Sequence, residues 1–270
     1  MTRFLLPARA GLNRRQVLGA AAALPLAASA AVAETAPPSP TGGADKIRVA
    51  FVGDSMADGL WGSFVRSFTK DKCLRDHMDG GRYAKNGTGL TRTDGHDWVA
   101  QARRIADSYG PACVVASVGL NDRQDVAEGG RSRAPFGTPA WDEAYLARVV
   151  QFLQAAGSKG AGVMLVGLPA MRDAVQHTDA QAKNKLFADA VRTVGDPRVV
   201  FVEPWQTPGA PGTYATAVPG ENGRGLVPVR APDGMHFTMA GYDMVWAYLV
   251  PKLLANLKQT GRAAGLDCAG

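Results

Sequence analysis

Strand-length apolar runs alternate with amphipathic stretches along this chain, and few architectures accept that pattern. The runs are 47–52 (IRVAFV, broken only by Arg48), 112–118, 162–166 and 198–202, with a weaker one, RYAK, at 82–85. A run that is apolar throughout, rather than at every second position, suits a strand covered on both faces, as in parallel sheets. Helical periodicity fills the intervals at 58–70, 97–109, 141–156, 180–194 and 238–257; in 97–109, Trp98, Ala102 and Ile105 share one face. The expected fold is a three-layer α/β/α domain on a parallel sheet of about five strands. Ligands of such sheets sit beyond the C-terminal ends of the strands. The polar clusters fall there: Gly53-Asp54-Ser55, Gly119-Leu120-Asn121-Asp122 and the residues after Leu168-Pro169. Two long loops, 123–140 and 203–233, interrupt the rhythm, and long loops in compact domains usually carry function. The second is expected to hold a hairpin with arms at 212–218 and 225–230.

The first 33 residues read as an address. Arg14-Arg15 precedes an uncharged stretch rich in Ala, Leu and Val, and Asn13-Arg14-Arg15-Gln16-Val17-Leu18 resembles a twin-arginine export motif. Ala31-Val32-Ala33 is a small-x-small cleavage site, which predicts a signal peptide over 1–33 and periplasmic delivery. Residues 34–45, rich in Pro, Gly, Ser and Thr, read as a flexible linker, and 46–270 as one domain. Four of the +6 net charges are Arg3, Arg9, Arg14 and Arg15, so the remainder is close to neutral. No basic run is interleaved with aromatics, and nucleic acid is not an expected partner. Of the three cysteines, Cys113 lies in an apolar run and is expected buried; Cys73 and Cys268 could pair in an oxidising compartment. None has zinc-site spacing, and neither a metal nor a cofactor is expected.

The chain has only four histidines: His77, His96, His177 and His236. His236 stands in Asp233-Gly234-Met235-His236, where a carboxylate three residues back can reach one ring nitrogen and leave the other free for a hydroxyl. Thr238 is the expected N-cap of the following helix. Ser55 follows the first strand at a helix start, where outward N–H groups favour developing negative charge. Position alone would also suit an N-cap. Competing motifs are incomplete. Val115-Ala116-Ser117-Val118-Gly119 lacks the first glycine of a nucleophile elbow, and Ser67-Phe68-Thr69-Lys70 lacks the companions of S-x-x-K.

In combination, these clusters resemble the four ordered blocks of the SGNH (GDSL-like) hydrolase superfamily. The blocks are Gly53-Asp54-Ser55, Gly89 within Asn86-Gly87-Thr88-Gly89-Leu90, Asn121 within Gly119-Leu120-Asn121-Asp122, and Asp233-x-x-His236. The likeness spans 47–257. Flanking runs at 135–137, 141–142, 168–172 and 233–237 resemble an exported bacterial branch whose members mostly lack an assigned substrate. The resemblance implies a flavodoxin-like sheet of the SGNH-hydrolase type. It implies Ser55 as nucleophile, His236 as base and Asp233 as its orienting partner. The oxyanion hole would comprise the backbone N–H groups of Ser55 and Gly89 and the Asn121 amide, with Gly87 as the alternative to Gly89.

The expected reaction is removal of O-acyl groups, acetyl above all, from a cell-envelope or extracellular polysaccharide. Arg123 and Arg172, both at the expected catalytic edge, are candidate substrate contacts. Asp54 is a third candidate, or else a brace for its loop. Loop 123–140 adds Arg131, Arg133 and Phe136, and Trp141 follows it, a mixture suited to a sugar chain or an acidic one. The alternatives are an acyltransferase working with membrane polysaccharide machinery, and a non-catalytic polysaccharide-binding module. The intact blocks argue against the latter.

Overall fold

The computed structural model describes residues 46–220 and 223–262. The signal-peptide and linker assignments, and Cys268, lie outside them. The central sheet has five parallel strands in the order β2-β1-β3-β6-β7. They are β1 (Ile47–Gly53), β2 (Met78–Ala84), β3 (Cys113–Ser117), β6 (Gly162–Val166) and β7 (Val199–Val202). Helices α1 (Ser55–Ser67) and α6 (Met239–Gln259) cover one face; α3 (Trp98–Ser108), α4 (Pro139–Ala156) and α5 (Ala174–Val194) cover the other. Side chains alternate between the layers: Val49, Phe51, Val115 and Met164 pack under α1 and α6, whereas Ala50, Val52, Ala116 and Leu165 pack under α3 to α5. Burial on both faces accounts for the unbroken apolar runs. Among the described residues no helix is long and apolar enough to cross a membrane.

Some elements depart from the sequence reading. β2 is longer than RYAK because glycines hide it. A Cβ on Gly80 would lie 2.2 Å from the Phe64 ring, and one on Gly81 2.6 Å from Tyr83, so close packing excludes the apolar residues that usually mark a strand. A short helix, α2 (Lys72–His77), precedes it. α5 begins at Ala174, not at 180. Asp173 caps it by accepting from Gln176 N (2.9 Å), and its first turns are exposed and carry no apolar period. Loop 123–140 contains a two-stranded sheet, β4 (Val126–Glu128) with β5 (Arg131–Ala134). The second hairpin is tighter than expected, β8 (Ala217–Pro219) with β9 (Leu226–Pro228). Cys113 is free and fully buried, and burial pushes its thiol up from the usual range. Cys73 is disulfide-bonded.

The chain leaves β1 for the edge strand β2 and then crosses back to β3, so strand order reverses between β1 and β3. At that crevice the two strands almost touch. Gly53 adopts φ +142°, and a Cβ there would lie 1.8 Å from the Ser117 carbonyl oxygen, while Asp54 N donates to that same oxygen (3.1 Å). Only glycine lets the first strand turn so abruptly beside its neighbour.

Candidate active site

Ser55 emerges from this turn as the first residue of α1. Asp54 before it is fully buried. Its carboxylate accepts from Met56 N (2.9 Å) with one oxygen and from Leu120 N (3.1 Å) with the other. It thereby ties the Ser55 turn to the loop after β3, which is the bracing role the sequence offered for it, and its burial leaves no oxygen exposed for the alternative role of a substrate contact. Burial drives its pKa up to about 7, against the pull of the two amides and with a further push from Asp122.

His236 and Asp233 come from the loop before α6. Thr238 caps that helix, accepting from Gly241 N (3.1 Å). His236 Nε2 lies 2.6 Å from Ser55 Oγ, and His236 Nδ1 lies 2.6 Å from Asp233 Oδ2. With Nδ1–H donated to the carboxylate, Nε2 is left to accept the serine proton. Asp233 Oδ1 accepts from Met235 N (2.8 Å) and His236 N (3.0 Å). Partial burial works to raise its pKa, but the Met235 amide, the imidazole and the His236 amide outweigh it and hold the carboxyl at about 2. Between them Gly234 takes φ +78°, and a Cβ there would meet the Arg172 side chain at 2.6 Å.

The other histidines are engaged elsewhere. His96 packs edge-on to Trp98 with Nδ1 3.4 Å from Lys85 Nζ. His177 Nδ1 accepts from Met171 N (3.3 Å), and His77 Nδ1 lies 3.0 Å from the Cys73 carbonyl.

The structure distinguishes the two glycines of the second block. Gly87 is exposed with nothing around its missing Cβ. Gly89 is buried, and a Cβ there would lie 1.9 Å from Asp122 Oδ1. Asp122 is fully buried and joins this block to the third. It accepts from Leu90 N (3.0 Å), Thr91 N (3.1 Å), Thr91 Oγ1 (2.8 Å) and Tyr145 OH (2.8 Å). Asn121 Nδ2 donates to the Thr88 carbonyl (2.8 Å), which fixes its amide beside Gly89 and leaves its second N–H uncommitted. The N–H groups of Ser55 and Gly89 take part in no hydrogen bond to the described residues. Lys183 of α5, 4 % exposed, donates to the Gly119 carbonyl (2.7 Å) and clamps the same turn from behind. Burial lowers its pKa, with Asp122 opposing the shift. The sequence reading missed Asp122 and Lys183 as parts of the site. A signal for the latter existed: a lysine on the apolar face marked by Ala180, Phe187 and Ala190.

Of the proposed substrate contacts, Arg123 is ion-paired to Asp179 (2.5 Å) and lies over the Phe136 ring. Arg172 is exposed and makes no ion pair to a described residue; Asp173, its nearest candidate partner in sequence, is spent on the α5 cap. Trp141 points inward, 3 % exposed, stacked on Tyr145 and donating to the Gln124 carbonyl (2.9 Å). It anchors α4 and offers no platform to a sugar. Leu120, Leu168, Met171 and Met235 help enclose a pocket of about 70 Å³. A larger depression of about 400 Å³ lies past Pro169 and Ala170, with Phe201, Gln181 and Lys185 in its lining.

The fold has counterparts among solved structures. A carbohydrate esterase family 3 enzyme from Talaromyces cellulolyticus superposes with TM-score 0.54 at 14% identity, covering 79% of this chain and 99% of that one. A variant of an acetyl esterase solved with an acetate ion gives 0.53 at 13% identity, again over 79% and 99%. A GDSL-like lipase from Bacteroides thetaiotaomicron gives 0.48 at 20% identity over 77% and 88%. No curated protein matches the sequence. The family model described as "Protein of unknown function (DUF459)" matches residues 48–252. With that match over most of its length, the chain belongs to the DUF459 family.

Proposed function

We propose that this protein is an exported serine esterase that removes short O-acyl groups from a polysaccharide. The observation that carries the reading is the continuous hydrogen-bonded chain Ser55–His236–Asp233, with both links at 2.6 Å. Ser55 Oγ attacks the ester carbonyl carbon as its proton passes to His236 Nε2. The oxyanion is held by the N–H groups of Ser55 and Gly89 and the uncommitted N–H of Asn121. His236 returns the proton to the departing sugar alcohol as the C–O bond breaks. Water repeats the sequence on the acyl-enzyme and releases the acid.

Acyl size and acceptor class follow from the surroundings. The small pocket of about 70 Å³ is lined by Leu120, which adjoins Asn121, and Met235, which adjoins His236, together with the polar side chains of Arg123, Gln176 and Lys183. Its size supports an acetyl group over a long acyl chain. The larger depression has the apolar floor and amide fringe that sugar rings use, and Arg172, two residues after Ala170 of its lining and without an ion pair to a described residue, is exposed to meet a hydroxyl or a carboxylate. The acetyl esterase and carbohydrate esterase neighbours support the same choice. Periplasmic delivery rests on the Arg14-Arg15 leader and the cleavage site ending at Ala33.

Release of p-nitrophenol from the acetate ester tests the core of the reading. Wild-type protein is expected to turn over, to prefer acetate over octanoate esters, and to lose at least about a thousandfold in kcat on Ser55→Ala with its fold intact. Equal turnover by Ser55→Ala would remove the assignment. Adding an oligosaccharide separates hydrolysis from transfer, since a transferase would return acylated sugar in place of acetate.

A further inference from the structure

Arg230 is 6 % exposed, and no carboxylate among the described residues pairs with it. All its hydrogen bonds go to backbone carbonyls. Nη1 donates to Ala170 O (2.7 Å), Nη2 to Met235 O (2.7 Å) and Gly234 O (3.4 Å), and Nε to His236 O (3.2 Å). The rings of Tyr214 and Phe237 stand 4.9 and 4.5 Å from its guanidinium carbon.

Two of these carbonyls connect to the triad by covalent geometry. The C=O and N–H of a trans peptide point in opposite directions. The Gly234 carbonyl and the Met235 N–H belong to one peptide, and the Met235 carbonyl and the His236 N–H to the next. Arg230 grips the carbonyl ends of these peptides, and Asp233 Oδ1 accepts from their N–H ends at 2.8 and 3.0 Å. A cation and a carboxylate thus face each other across two aligned peptide dipoles.

Resting on the reading of Ser55, His236 and Asp233 as a triad, we propose that Arg230 is its positioning residue, fixing the Asp233 carboxylate, and through it the imidazole, by orienting the two intervening peptides. The choice of side chain fits the task. A planar fork can serve several carbonyls at once, which an ammonium on a flexible stem does less well. A side chain that merely filled this space between two aromatic rings would be apolar, because burying an unpaired cation is unfavourable. The Ala170 contact also fastens the loop after β6 to the catalytic loop, and the Arg172 N–H adds a second fastening to Gly234 O (3.1 Å).

The test compares full-length wild type with Arg230→Lys and Arg230→Met. Three readouts are taken: thermal melting, steady-state kinetics on p-nitrophenyl acetate, and the far-downfield proton resonance of His236 Nδ1–H. A positioning role predicts a cooperative melt in each variant and KM within about twofold of wild type. It predicts that kcat falls about tenfold in the lysine variant and about a hundredfold in the methionine variant. The resonance should weaken in the same order. Turnover within about twofold of wild type, with an undisturbed resonance and only a lower Tm, overturns the proposal. If Arg230→Met does not fold, the lysine variant decides by the same readouts. The resonance needs no turnover. A wild type without esterase activity therefore removes the functional reading, while loss of the signal in the variants still establishes the positioning.

Discussion

Asn121 spends one amide proton on the Thr88 carbonyl and has no second partner among the described residues, so its truncation removes both the proposed oxyanion donor and the tie that aims it. Asn121→Ala is expected to lower kcat on p-nitrophenyl acetate about a hundredfold or more with KM little changed. Steady-state kinetics at saturating ester would reveal the opposite case, a loss confined to KM, which would make Asn121 a binding residue only. Residues that act by chemical type were legible in the sequence. The serine at a strand end, the D-x-x-H and the asparagine in a turn stood out through the order of their blocks, since alone the serine also suits an N-cap and the asparagine a plain turn. Residues that act by burial were not. For Asp54 the sequence left a substrate contact and a loop brace both open, and only the two backbone amides that draw it inside decide for the brace. The partners of Asp122 and Arg230 are separated from them in sequence or lie on the backbone, where no side-chain pattern records them.

At the scale of elements, α5 both covers the sheet and supports the site. Lys183 reaches from its buried face to the Gly119 carbonyl at the head of the turn that carries Asn121. Lys183→Met keeps the stem and removes the carbonyl's shorter, charged hydrogen bond, leaving it the longer one from Asp122 N (3.3 Å). It is expected to cost about 1–3 kcal/mol in urea unfolding and to lower kcat as the turn loosens. Unchanged stability and unchanged kcat together would mean that the turn holds itself. The strands were legible because burial on both faces leaves long apolar runs, and β2 was not because Gly80 and Gly81 make way for Phe64, Tyr83 and Tyr109. The start of α5 was hidden because its first turns are exposed and carry no period, so that only the Asp173 cap marks them. β4 and β5 are short and mostly polar, and nothing in their composition separates them from loop.

For the whole molecule, stability should depend on pH through two carboxyls that pull in opposite directions. The native pKa of Asp54, about 7, lies above the ordinary 3.8, so the folded state binds its proton more tightly than the unfolded chain. Its contribution is therefore lost as pH rises from about 4 through 7, by on the order of 4 kcal/mol at full extent. The native pKa of Asp233, about 2, lies below 3.8, so its contribution is present above about 4 and lost as pH falls towards 2. Denaturant unfolding between pH 4 and 8 should show wild-type stability declining and the Asp54→Asn curve nearly flat; parallel curves would contradict the assignment. The distance between Ser55 and His236 along the chain, 181 residues, bears on a different question. Ser55 follows the first strand and His236 comes after the last, so the rest of the central sheet is made between them. A nascent chain that stops short of His236 holds the serine and lacks the imidazole, and the two meet only when the loop before α6 closes onto the turn after β1. The contact is thus a report that the intervening sheet has folded, and on the proposed reading no ester is cut before then.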